Sequence, residues 1–367
     1  MARKGVEEAK ERLGRRRAVA PPDFAGGLST GSTLLNLACT GRPDVGYVPG
    51  TFYYFVGDSN SGKSFLTLVA FAEACANRRY KDYRLIYDNP EHGAGMNLRQ
   101  YFGKAMAERL EPPFWDGDLP GSSDRVEDFY LNLHDALTAG PCIYVLDSMD
   151  ALSSTDEEKH FVKIKHHVRK EKGPEDKAPG SYGDGKAKKN SALLRQVLPL
   201  IHSTGSILIV ISQTRDVVGD IFTFKDKTRS GGRALTFYAQ VEIWSSVRRA
   251  IKHKVNDIDR HTGNACTLRV ERSRFTGHAA TVEVPIYYKT GVDDVGSCVA
   301  YLLKEGHWKK GKTGRLEAPE FEFEGTEEKL IRHVEATDRE RELAALATQV
   351  WVDVEERSAP ERKRRYE

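Results

Sequence analysis

Cysteine is sparse in this 367-residue chain. Cys39, Cys75, Cys142, Cys266 and Cys298 are scattered, odd in number and form no C-x-x-C pair. That excludes a disulfide framework and a zinc ribbon, and it argues for a reducing compartment. Long apolar runs are missing as well. None approaches the roughly 20 residues that a membrane helix requires, so no membrane partner is expected. The basic start, "MARKGVEEAKERLGRRR", is followed by no apolar run and does not read as a secretory signal. A cytoplasmic protein is expected. An excess of one charge is lacking too. Lysine and arginine number 56 against 53 acids, so bulk charge announces no nucleic-acid partner and local clusters must carry that case. No internal repeat is visible.

What is present is an alternation of apolar strands and amphipathic helices. "TFYYFVG" (51–57), "YRLIYD" (83–88), "CIYVLD" (142–147) and "SILIVISQ" (206–213) read as buried strands. "YAQVEIW" (238–244), "CTLRVER" (266–272) and "ATVEVPIYY" (280–288) follow as later strands. Helical segments at 63–79 and 192–205 lie between them. Near-continuous Val/Ile/Leu/Tyr runs separated by helices imply an α/β fold, with a mainly parallel twisted sheet covered on both faces. Two long polar segments, 155–190 and 214–233, interrupt this rhythm, and loops of that length in a compact domain are usually functional or disordered.

The sharpest local signal is "GDSNSGKS" at 57–64, which fits the phosphate-binding P-loop. It sits between a buried strand and a helix, where such a loop must sit. In this reading Gly57, Asp58, Ser59, Asn60, Ser61, Gly62, Lys63 and Ser64 form the phosphate cradle. Backbone N–H groups point at the phosphates, Lys63 neutralises β/γ charge, and the Ser64 hydroxyl ligates Mg²⁺. Asp147 ends a neighbouring strand and is the second candidate Mg²⁺ ligand; the alternative is a capping acid. Asp88 and Glu91 lie just beyond another strand end. Glu91 is either the group that reaches an attacking water or a solvent-exposed acid, and spacing alone leaves both open.

The order of these segments resembles the RecA-type strand-exchange recombinases, including those of bacteriophages. "LSTGSTLLNLACTG" (28–41) resembles the segment before the family's P-loop strand. "YDNPEHGAGMNLRQYFG" (87–103) is similar to the stretch with its catalytic glutamate, which lands on Glu91, and "YVLDSMDAL" (144–152) to its Mg²⁺ strand, with Asp147 in place. "LIVISQTRDVVGDIFTFKDKTRSGGRALTFYA" (208–239) is the most specific piece. The resemblance makes Gln213 the γ-phosphate sensor, 214–230 a DNA-binding loop, and Gly231–Gly232 its close. "VERSRF" (270–275) maps onto a segment whose basic residues reach a neighbouring subunit's ATP, here Arg272 and Arg274. Tyr288 corresponds to a position near the nucleotide base across a subunit interface. Gly95 and Leu98 stand where the family contacts adenine, so base recognition departs from the pattern.

The resemblance implies a RecA-like P-loop ATPase core over 28–305. A 1–27 N-terminal helix and oligomerisation arm precedes it, and a C-terminal extension, 306–367, follows. It implies ATP and Mg²⁺ as cofactors, single-stranded DNA and homologous duplex as partners, and self-association into a helical filament with ATP between protomers. A bacterial or phage-infected cytoplasm is the expected setting. In the first polar segment Lys163, Lys165, Arg169, Lys186, Lys188 and Lys189 are candidate phosphate contacts, against a merely solvated loop. In the second, Phe222 and Phe224 are interleaved with Lys225, Lys227, Arg229 and Arg233, a composition that suits stacked single-stranded bases. Arg248 and Arg249 extend the basic surface. The rival readings are a ring helicase, which usually carries a sizeable N-terminal domain, and an ATP- and DNA-binding mediator without strand exchange.

Overall fold

The computed structural model describes residues 24–92, 95–159, 162, 183–216, 227–229 and 232–362. Its centre is a ten-stranded sheet. The parallel part runs β3 (Leu110–Glu111), β2 (Arg84–Asp88), β6 (Cys142–Leu146), β7 (Ile207–Asp216), β1 (Thr51–Gly57) and β9 (Val241–Val255). Three antiparallel strands extend it, β10 (Ile258–Ser273), β11 (Ala280–Tyr287) and β12 (Gly291–Val292), and β8 (Lys227–Arg229) pairs with the end of β7. A small hairpin, β4 (Trp115–Asp116) with β5 (Leu119–Pro120), stands apart, as does a second, β13 (Leu316–Ala318) with β14 (Phe323–Gly325).

The continuous apolar runs are explained by burial on both faces. Along β1, Tyr53 and Phe55 enter one hydrophobic cluster while Phe52, Tyr54 and Val56 enter another on the opposite side. That is the period-two alternation of a strand. The first cluster is covered by α1 (Thr33–Thr40), α2 (Lys63–Ala76) and α7 (Asp294–Lys304). The second is covered by α4 (Val126–Ala139), α5 (Gly183–Thr204) and α6 (Arg233–Tyr238). α3 (Leu98–Arg109) packs beside α2. The C-terminal helices α8 (Glu327–Ala336) and α9 (Glu340–Ser358) add Leu330, Val334, Leu343 and Trp351 to the first cluster, so 306–358 shares its core with the P-loop helix. Asp294 ties these layers together. Its carboxylate accepts from the Thr33 amide (2.6 Å) and hydroxyl (2.7 Å) at the start of α1.

Two segments differ from the sequence expectation. Strands expected at 238–244 and 266–272 are parts of one long hairpin, β9–β10, turned at Asn256–Asp257, both with positive φ. Its outer half is exposed on both faces, so no apolar alternation marks it. The helix expected at 192–205 begins at Gly183 instead. Gly183, Gly185 and three lysines make its first turns read as loop. The segment 214–233 is likewise shorter as a connection, because β7 continues to Asp216 and β8 returns against it.

Candidate functional site

Strand register builds the site. Gly57 at the end of β1 lies level with Gln213 on β7 and with Ser245 on β9. The P-loop therefore opens at the C-terminal edge of the parallel sheet, where α/β folds hold ligands. Gly62 has φ of 85°, and a Cβ there would come within 2.6 Å of Ile286, so only glycine fits the turn into α2. A cleft of about 980 Å³ spreads from this turn, lined by Lys63, Glu91, Asp147 and Gln213 at one end and by Tyr101 and Tyr288 at the other.

The first end is polar and partly buried. Lys63 donates to the main-chain oxygen of Asp58 at 2.6 Å. Burial lowers its pKa, and Asp147, Glu91, Asp58 and Asp150 act in the opposite direction. Asp147 is 6% exposed, and burial raises its pKa against hydrogen bonds from Ser64 and Tyr87, the latter at 2.8 Å. Ser64 and Asp147 thus offer adjacent hard oxygen donors, which suits Mg²⁺ bound through few protein groups, waters and substrate phosphates. No group of three or more metal-ligating acids, histidines or cysteines occurs among the described residues. Glu91 accepts from the Ser148 hydroxyl and, at 2.9 Å, from the Gln213 side-chain amide. Asp88 does not share this cleft edge. It is fully buried, bound by the Ser123 amide (2.9 Å) and hydroxyl and by the Tyr144 hydroxyl (2.7 Å), and holds the neighbouring strands together.

The second end is aromatic. Tyr101 on α3 donates its hydroxyl to the Tyr288 carbonyl and meets Phe65 edge-on at 5.8 Å. His261 meets the Tyr288 ring at 6.4 Å. Gly95 is exposed with nothing near its Cα side, and Leu98 packs against the core, so neither supplies this wall. Tyr101, Met96, Phe65 and His261 were missed by sequence reasoning. Tyr101 lies one turn beyond Leu98, a helical spacing that could have found it. Tyr288, expected to act across a subunit interface, lines the cleft of its own chain.

The remaining expected residues lie apart from this cleft or outside the described residues. Lys163, Lys165, Arg169, Phe222, Phe224, Lys225 and Gly231 lie outside the described residues, and Lys227 and Arg229 are described only as backbone of β8. Lys186 and Lys189 are not free loop cations. They sit on α5, where Lys189 pairs with Glu127 and Asp156 (3.0 Å) and Lys186 with Glu157 (3.4 Å) and the Leu152 carbonyl. Lys188 and Arg233 are exposed, and Arg248 and Arg249 are exposed while paired to Glu283. Gly232 starts α6 with φ of 82°, and a Cβ there would meet Ala187 of α5 at 2.6 Å. Arg272 binds the carbonyls of Thr236 and Ala239 (3.2 Å), and Arg274 binds the Phe237 carbonyl and lies over its ring at 5.9 Å. Both clasp the C-terminal end of α6, where cations are favoured, and neither lines the chain's own cleft.

A parallel sheet with a P-loop at its edge and a strand-end acid beside it defines a nucleoside-triphosphate-binding α/β protein. Comparison with known proteins narrows the class. The family described as RecA N-terminal domain matches residues 173–293. Protein RecA of Paracoccus denitrificans is 27% identical over 285 residues, covering 76% of this chain and 68% of the relative. Protein RecA of Campylobacter hominis is 26% identical over 302 residues, covering 79% and 75%. A solved RadB recombinase aligns over 73% of this chain and 99% of its own at 15% identity, with a TM-score of 0.45. The chain is thus similar to RecA proteins over about three quarters of its length, and its residues 173–293 match the RecA N-terminal domain family.

Proposed function

We propose that this chain is a DNA-dependent ATPase that assembles on single-stranded DNA and pairs it with homologous duplex in recombination and repair. The observation that carries the reading is the position of Gln213. It is level with Gly57 in the sheet, its amide holds Glu91, and its strand runs directly into the β7–β8 hairpin. A neutral amide there can exchange Glu91 for a γ-phosphate oxygen and so make the hairpin respond to the nucleotide.

In this reading the P-loop amides and Lys63 bind the phosphates. Ser64 and Asp147 would hold Mg²⁺, which would supply charge neutralisation at the phosphates. Glu91 orients and deprotonates water, with the Ser148 hydroxyl fixing its carboxylate once Gln213 has turned to the γ-phosphate. Phe65, Met96, Tyr101 and Tyr288 form the apolar wall for the base. Arg272 and Arg274 are assigned to a neighbouring protomer's ATP, since they lie outside the cleft of their own chain. Phe222, Phe224 and the cations from Lys225 to Arg233 are assigned to DNA, joined by Lys188, Arg248 and Arg249 on the exposed surface. No helix among the described residues is long and apolar enough to cross a membrane. The test is ATP turnover with and without single-stranded DNA, together with electron microscopy in a slowly hydrolysed ATP analogue. Stimulated turnover and helical filaments are expected. Closed rings that unwind duplex would replace this reading with a helicase.

A further inference from the structure

The end of β7 is held by more than Glu91. Three consecutive residues there are each bound to a carboxylate from a different strand end. Ser212 donates its hydroxyl to Asp150 at 2.8 Å, and the Gln213 backbone N–H donates to the same Asp150 oxygen at 2.7 Å. The Gln213 side chain donates to Glu91. Thr214 donates its hydroxyl to Asp58, the second residue of the P-loop. Asp58, Glu91 and Asp150 follow β1, β2 and β6 respectively.

Asp58 is joined through both side chain and main chain. Its side chain holds Thr214, and its main-chain oxygen accepts from the Lys63 ammonium as well as from the Ser61 hydroxyl and amide. A phosphate oxygen is a stronger, charge-assisted acceptor for Lys63 than a neutral carbonyl. Drawing Lys63 toward phosphate therefore changes what Asp58 is bound to, and Asp58 is tied directly to the strand. Asp150 supplies the counterpart, a fixed anchor for the Ser212–Gln213 backbone against which such a change can be felt.

We propose that Asp58 and Asp150 are positioning residues that transmit phosphate occupancy to the end of β7, independently of the Gln213–Glu91 contact. The inference rests on the functional reading above, in which ATP and DNA binding are coupled. Coupling of this kind is a ratio of affinities and can be measured as one. The test measures binding of a labelled oligothymidylate to the full chain in ADP and in a slowly hydrolysed ATP analogue, with thermal midpoints as the check on folding. Wild type is expected to bind DNA more tightly in the analogue. Thr214→Val, which removes the hydroxyl at nearly constant volume, and Asp150→Ala are each expected to lower the ratio of DNA affinity in the analogue to that in ADP by about tenfold. Thr214→Ser is expected to restore it. A ratio unchanged within about twofold in folded Thr214→Val and Asp150→Ala overturns the inference while leaving the functional reading intact. A wild type whose DNA affinity ignores the nucleotide overturns both.

Discussion

The two ends of the nucleotide cleft are built on different physical terms. At the phosphate end Lys63 and Asp147 are nearly buried, and Glu91, Asp147 and Gln213 all have hydrogen-bond partners within the chain. At the base end Tyr288 is 48% exposed, and Tyr101 touches its neighbours through ring edges and one hydroxyl. The first end demands charge and geometry, which few residue types supply. The second demands only an apolar face of suitable size, which many supply. A substitution should therefore act on chemistry at one end and on affinity at the other.

Lys63→Ala is the most severe break. Loss of its charge at the β- and γ-phosphates is expected to cut ATP turnover about a thousandfold. Glu91→Gln removes the base yet keeps the side chain's size, and a fall in kcat of about a hundredfold with a nearly constant KM is expected in steady-state assays. Tyr101→Ala should do the reverse. A stacking wall is worth about 1–3 kcal/mol per base, so KM should rise about tenfold with kcat little changed. If Tyr101→Ala instead lowered kcat as far as Glu91→Gln does, the division between the two ends would be wrong.

The smallest effect lies outside the cleft, in the ion pair that removes Lys189 from the basic surface. Burial works against the Glu127 carboxylate, but hydrogen bonds from Lys189 and Thr155 bring its pKa down to about 2. The unfolded chain binds that proton more readily, near the ordinary glutamate value of about 4.3. The pair's contribution is thus full above about pH 4.3 and fades as pH falls through about 2. Lys189→Ala should lower unfolding free energy by about 1 kcal/mol at neutral pH, and by less in acid, in denaturant titrations.

Legibility followed the same physical divide. The turn between β1 and α2, the strand end that carries Asp147 and the buried strands were readable, because a tight glycine turn and two-sided burial leave narrow residue patterns. Glu91 was readable as a position but not as a role, since an acid after a strand has many uses. Tyr101 was missed although its helical spacing from Leu98 marks it, because an aromatic one turn along a helix also looks like core. The outer halves of β9 and β10 were not readable either, since strands exposed on both faces carry no alternation. Lys186 and Lys189 read as candidate phosphate contacts of a loop, because their partners Glu157 and Glu127 lie far enough away in sequence to hide the pairing.

The contact between Gly232 and Ala187 carries a consequence for anyone redesigning this chain. Gly232 opens the helix after one long polar segment, and Ala187 sits in the first turns of the helix after the other. Gly232 has no room for a Cβ, and Ala187 is the residue that a Cβ there would strike. The two segments therefore share a steric budget at their roots, and grafting one from a relative without the other should push the helices apart. They are better exchanged as a matched pair than as interchangeable parts.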